Sequence, residues 1–235
     1  MDLFAGSAGK NYFYETQEIV LYPTAGMATN SDLFNISFFG DDILVISAEK
    51  LLQKDLSVGI SFAVKNFLGN NSAVSIKDYP AIRVKYRLLN EGKSYPAILL
   101  GFDSQTYLDL SIHKGSFYHH SIGPFIAISK AFSWQMGIIG VHLGANFPIE
   151  YNKNRRGNFF FGIEQTINQS VSAAFEYSFE GDSNLNGKIP DGITNFGLKY
   201  SIDRNATFSL YLIDIFSTKM STYKVINLQF IAKIF

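Results

Sequence analysis

The ten residues Leu56 to Lys65 read LSVGISFAVK. Leu56, Val58, Ile60, Phe62 and Val64 fall on one side, and Ser57, Gly59, Ser61, Ala63 and Lys65 on the other. A period of two belongs to a β-strand whose two faces meet different surroundings. The same pattern recurs at 81–88, where Ile82, Val84, Tyr86 and Leu88 oppose Ala81, Arg83, Lys85 and Arg87. At 170–180, Val171, Ala173, Phe175, Tyr177 and Phe179 oppose a face of Ser, Ala and Glu. Further strands are predicted near 17–25, 31–39, 42–49, 94–103, 106–113, 117–129, 134–146, 157–167, 192–202, 205–214 and 223–235. Polar, turn-like stretches separate them, such as 152–158 and 181–192. No amphipathic helix of several turns interrupts the series, so the chain is expected to be all-β.

Many of these strands run to about ten residues, the length a tilted strand needs to cross a bilayer. Hydrophobic residues make up 47% of the chain and charged ones 17%, yet the apolar residues are dispersed. No run approaches the roughly 18 apolar residues of a membrane-spanning helix. The second face is rich in Ser, Gly, Ala, Thr and Asn, which suits the crowded interior of a narrow barrel. The first face carries Phe, Tyr, Leu, Ile and Val, with aromatics near strand ends such as Phe159, Phe160 and Phe161. These features predict a transmembrane antiparallel up-and-down β-barrel of about twelve strands, within a range of ten to fourteen. A closed sheet leaves no unpaired edge in lipid. Residues 1–15 are expected to stand apart from the wall, in the lumen, in the periplasm or without fixed structure, and 16–235 to form one barrel domain. A soluble β-sandwich binding module is the alternative fold for the same pattern.

Charge and cysteine narrow the function. Twenty Lys and Arg balance twenty Asp and Glu, so no basic excess points to nucleic acid. Cysteine is absent, which removes disulfides, thiol catalysis and cysteine metal sites. The opening MDLFAGSAGKNYF lacks the basic start and apolar stretch of a signal peptide. For an exported protein, the leader is expected to precede this sequence.

The inward candidates are the basic ladder Arg83, Lys85 and Arg87, the carboxylates Glu164, Glu176 and Glu180, and Lys199. The ladder could line a pore or hold an anionic glycan. Pairing with the inward carboxylates to fill a small lumen is the expected alternative, since isolated charges in a narrow barrel are costly. The histidines are His113, His119, His120 and His142; none is spaced for a metal, and no Gly-x-Ser-x-Gly nucleophile motif accompanies them. The 181–192 stretch has oxygen side chains at alternate positions but lacks the Gly and Glu of a calcium loop. No enzyme activity, metal or cofactor is expected. The chain ends in VINLQFIAKIF, which reads as the closing strand, with Phe235 as a terminal aromatic assembly signal. The alternation puts Phe235 on the side of Asn227 and Gln229, so a bulge or an inward-turned ring is expected there.

Two stretches, YPTAGMATNSDLFNISF (22–38) and YPAIRVKYRLLNEGKSYPAILLGFDS (79–104), resemble the opening strand and a hairpin of the YjbH-like outer-membrane proteins. FFFGIEQTINQSVSAAFEYSF (159–179) and NFGLKYSI (195–202) are similar to later strands of that family. The resemblance implies a bacterial outer-membrane barrel associated with exopolysaccharide. Its expected partners are membrane lipids, the outer-membrane assembly machinery, and polysaccharide or other envelope proteins. The expected function is a channel or export-associated barrel, or else a plugged barrel that anchors or completes a larger envelope complex.

Overall fold

The structure, a computed structural model, describes residues 8, 15–27, 32–39, 42–68, 74–76, 80–104, 122–147, 149, 157–179, 192–203, 205–216 and 223–232. Thirteen strands form one antiparallel sheet. They are β1 (Asp32–Phe39), β2 (Ile43–Gln53), β3 (Leu56–Lys65), β4 (Ser75–Ile76), β5 (Ala81–Leu89), β6 (Ala97–Asp103) and β7 (Gly123–Trp134), followed by β8 (Gly137–Asn146), β9 (Asn158–Thr166), β10 (Val171–Ser178), β11 (Ile193–Ser201), β12 (Ala206–Ile213) and β13 (Tyr223–Ala232). Each long strand pairs with its sequence neighbours, and β1 pairs with both β2 and β13, which closes the ring. The two-residue β4 touches only the end of β3, so twelve strands make the wall. The soluble sandwich is thereby excluded: the sheet has no second layer to bury its apolar face.

That apolar face points outward. Ile60, Phe62, Ile82, Leu100, Leu143, Leu198, Leu210 and Phe230 are all exposed. They come from strands all around the ring and form a belt rather than a patch. In water such a surface would cost about 25 cal/mol for each Å² of apolar area. In a bilayer it costs nothing, and the closed ladder pairs the strands' backbone groups with one another where lipid could not. The barrel spans a membrane.

The two rims differ. At one end the strands join through 54–55, 90–96, 135–136, 167–170 and 202–205. At the other they join through 40–42, 66–80, 104–122, 147–157, 179–192 and 214–222. The first is the short-turn rim; β1 starts and β13 ends there. The register of β13 against β1 is continuous from Val225 to Ala232, with no bulge among the described residues. Phe235, the expected strand at 106–113, His113, His119 and His120 lie outside the described residues, as does most of the 181–192 stretch.

One expected strand is not in the wall. The 17–25 stretch folds as a tight hairpin inside the barrel, and the wall begins only at Asp32. A single bridge joins Glu18 to Pro23, the Thr24 N–H donates to the Gln17 carbonyl (3.0 Å), and the Ile19 N–H donates to the Tyr22 carbonyl (2.9 Å). Pro23 has no N–H to give a ladder, and here it bridges to Glu18 across the hairpin instead of extending the wall. The hairpin legs lie close: a Cβ on Gly26 would come within 2.0 Å of the Thr16 carbonyl oxygen.

Candidate functional site: a hairpin inside the lumen

The hairpin, Glu15–Met27, enters from the short-turn rim, reaches the opposite rim at Ile19–Tyr22 and returns. Three kinds of contact hold it. At its base and along its first leg, each member of the basic ladder on β5 binds one hairpin group and one wall group. Arg87 pairs with Glu15 of the hairpin and donates to Asn90 (3.2 Å). Lys85 donates to Gln17 (3.1 Å) and pairs with Glu49 on β2 (2.9 Å). Arg83 pairs with Glu18 (2.6 Å) and with Asp103 on β6 (2.7 Å). Lys85 and Arg87 are buried, so these pairs sit where an unmatched charge would be expensive.

On the facing wall the carboxylates bind differently from the ladder pairing that the alternation suggests. Glu164 pairs with Lys199 (3.2 Å) and accepts from Ser172 (2.7 Å) and from Thr16 of the hairpin (2.8 Å). Glu176 is held by the hairpin backbone: the N–H groups of Val20 (2.9 Å), Leu21 (3.0 Å) and Tyr22 (2.9 Å) all donate to its Oε2, and Asn195 donates to Oε1 (2.7 Å). Successive N–H groups in a turn make a concave anion site. The ladder does not reach Glu164 or Glu176 because the hairpin stands between the two walls. Glu180 lies outside the described residues. Lys199 also donates to the Glu18 carbonyl (2.8 Å).

The tip is gripped by an apolar collar near the long-loop rim. Ile19, Val20 and Tyr22 pack with Ile43, Val45, Ala63, Phe160, Tyr211, Ile213 and Val225. Tyr22 stacks on Phe160 with ring centroids 4.5 Å apart, and its hydroxyl meets Ser178 (2.8 Å) and Asn158 (2.9 Å). Glycines open space for the tip. A Cβ on Gly162 would lie 2.6 Å from Ile19 Cγ2, and one on Gly197 would lie 3.2 Å from Val20 Cγ2. On the return leg the Ala25 N–H donates to Ser129 Oγ (2.9 Å). Ser129 Oγ also lies 2.9 Å from His142 Nδ1, so the one described histidine braces the hairpin.

On the side of β1, β12 and β13 the hairpin leaves a polar cavity of about 20 Å³, lined by Gln17, Glu18, Asn35, Lys199, Tyr211, Asn227 and Gln229, among others. That is room for about one water molecule. Among the described residues, no group of three or more His, Asp or Glu could hold a metal.

Outside the spanning strands, the turn after β5 carries one more buried carboxylate. Glu91 Oε1 accepts from the Ala131 N–H (2.8 Å) and lies 3.4 Å from Lys130 Nζ. Its Oε2 is buried without a hydrogen-bond partner. Burial raises its pKa above the usual carboxylate value, only partly offset by the Ala131 N–H and the Lys130 ammonium.

The hairpin was missed by alternation alone. Its signal was present in ETQEIVLYPT, where two carboxylates and a proline interrupt an otherwise strand-like run.

No protein-family model and no curated protein matches the sequence. Among solved structures, the KdgM porin superposes with a TM-score of 0.52 at 11% identity, covering 85% of this chain and 98% of that one. A KdgM porin in complex with disordered oligogalacturonate gives 0.53 at 12% identity, with the same coverage of 85% and 98%. The outer membrane protein Omp33 of Acinetobacter baumannii gives 0.46 at 7% identity over 87% of this chain and 97% of that one. The chain shares the porin-type barrel fold.

Proposed function

We propose that this protein is an outer-membrane channel, closed in the present state by its own N-terminal hairpin. The short-turn rim then faces the periplasm and the long-loop rim the outside, the usual asymmetry of such barrels. The observation that carries the reading is the lumen itself. Polar and charged side chains line it between the short-turn rim and the apolar collar, and the hairpin stands between the ladder and the facing carboxylates. Passage requires the hairpin to leave. The resemblance to YjbH-like proteins and the oligogalacturonate in the KdgM complex both favour a saccharide as the solute.

The chain has no cysteine, so an introduced pair meets no competing thiol, although a Cβ at 197 would lie 2.9 Å from Tyr211 Cδ1 and that ring must shift. A sulfur at the position of Val20 Cγ2 would lie 3.2 Å from a Cβ at 197, within reach of a disulfide. Val20→Cys/Gly197→Cys in planar bilayers is expected to be silent when oxidised and to show openings when reduced. Equal conductance in both states sinks the hairpin-gated channel. Silence in both, and in a variant lacking 15–27, favours a second reading: a permanently plugged barrel serving as an envelope anchor. The apolar collar favours that second reading, because its side chains need the hairpin tip to stay dry.

A further inference from the structure

The hairpin is an unusual lodger for a basic ladder. Around it, the wall cations Arg83, Lys85, Arg87 and Lys199 are already matched in number by the wall carboxylates Glu49, Asp103, Glu164 and Glu176. The hairpin adds two more carboxylates, Glu15 and Glu18, and places both on the ladder. Arg83 and Lys85 each keep a wall carboxylate if the hairpin withdraws. Arg87 does not: its wall partner is the neutral Asn90, and its Nε is already without a hydrogen-bond partner. The ladder therefore presents, once vacated, two carboxylate positions at Arg83 and Arg87. Four steps along the strand separate them, roughly 13 Å at ~3.3 Å per residue. Between them stands Lys85, whose hairpin partner is a neutral amide that a third anionic or hydroxyl oxygen can replace.

We propose that Glu15 and Glu18 are internal stand-ins for the carboxylates of an acidic oligosaccharide, which binds the Arg83–Lys85–Arg87 ladder and displaces the hairpin. The proposal rests on the reading of the barrel as a channel that opens. It adds the charge class of the solute and makes the solute its own opener. A guanidinium takes a carboxylate in two parallel hydrogen bonds, so Arg87 recognises either the hairpin or the solute, but not both. A chain of uronic acids carries a carboxylate on each sugar and can meet the ladder in more than one register. A neutral sugar chain offers hydroxyls but leaves Glu15 and Glu18 in place, because it cannot replace the charge on Arg87.

The test uses the full chain in detergent or bilayer with the Val20→Cys/Gly197→Cys pair as reporter. The rate of disulfide formation measures how long the tip sits on the wall. Trigalacturonate is expected to slow cross-linking several-fold and to raise open probability in the reduced protein; maltotriose at equal concentration is expected to do neither. Glu15→Gln/Glu18→Gln is expected to lower the trigalacturonate concentration needed. The double variant Glu15→Gln/Arg87→Gln, which keeps the base of the hairpin free of an unmatched charge, is expected to lose most of the trigalacturonate response. Equal responses to the two sugars, or an undiminished response in Glu15→Gln/Arg87→Gln, overturn the proposal. If cross-linking gates conductance while both sugars act alike, the channel reading stands and this inference alone fails. If cross-linking never affects conductance, the channel reading falls first.

Discussion

Lys85 shows how little freedom a single side chain has here. It is 1% exposed and sits between Glu49 and Gln17. Lys85→Met would fit the space but strand the Glu49 carboxylate in the lumen. Breaking one side of a buried pair costs about 3–5 kcal/mol. Lys85→Met/Glu49→Gln should recover most of that loss, since the stranded charge is gone. Thermal unfolding in detergent, followed by β-sheet circular dichroism, checks both. Glu91 offers a second residue-scale expectation. Its folded pKa is raised by burial, so the folded protein holds this proton more tightly than the unfolded chain does. The stability it contributes is full below the ordinary Glu value of about 4.3 and is lost as pH rises through the raised folded value. Wild type is expected to lose melting temperature from mildly acidic to neutral buffer by more than Glu91→Gln does. Parallel curves for the two proteins would mean that Glu91 is ionised throughout.

At the scale of elements, the tip of the hairpin depends on glycines in β9 and β11. A Cβ on Gly162 would also lie 2.9 Å from the Phe175 carbonyl, so the wall cannot move aside and the tip must. Gly162→Val is expected to displace Ile19 at an overpacking cost of about 1–3 kcal/mol. In the Val20→Cys/Gly197→Cys background this should cut the cross-link yield while the barrel remains folded. An unchanged yield would show that the tip is not held where the structure places it. The wall itself was legible in the sequence. Leu56 to Lys65 and Ala81 to Leu88 alternate so cleanly that each residue's face could be read directly, because lipid outside and a polar lumen inside impose opposite demands on adjacent positions. The hairpin was not legible in that way. It meets the inside of the wall and a small polar cavity rather than lipid, so its side chains follow the wall's charges rather than a period. Only Pro23 and the pair Glu15 and Glu18 betrayed it. The partners of the ladder were hidden for the same reason: pairing across the lumen depends on what stands in the middle.

The whole molecule inverts the usual arrangement of a soluble protein, with apolar side chains outside and a salt-bridged core within. Two consequences can be measured together. The folded barrel should migrate faster than its boiled form on a denaturing gel, and it should precipitate when detergent is removed without added lipid. A monomer that stays soluble and folded without detergent would contradict the outward belt. The interior also carries a mechanical consequence. Glu15, Gln17 and Glu18 meet Arg87, Lys85 and Arg83 at successive heights along one strand. A pull on the hairpin along the barrel axis therefore loads all three contacts at once, as in a lap joint under shear, and none can fail before the others carry its share. A competitor arriving from below meets them one at a time and can peel the joint from its end. The same three pairs make the closed state stiff against tension and soft against chemistry.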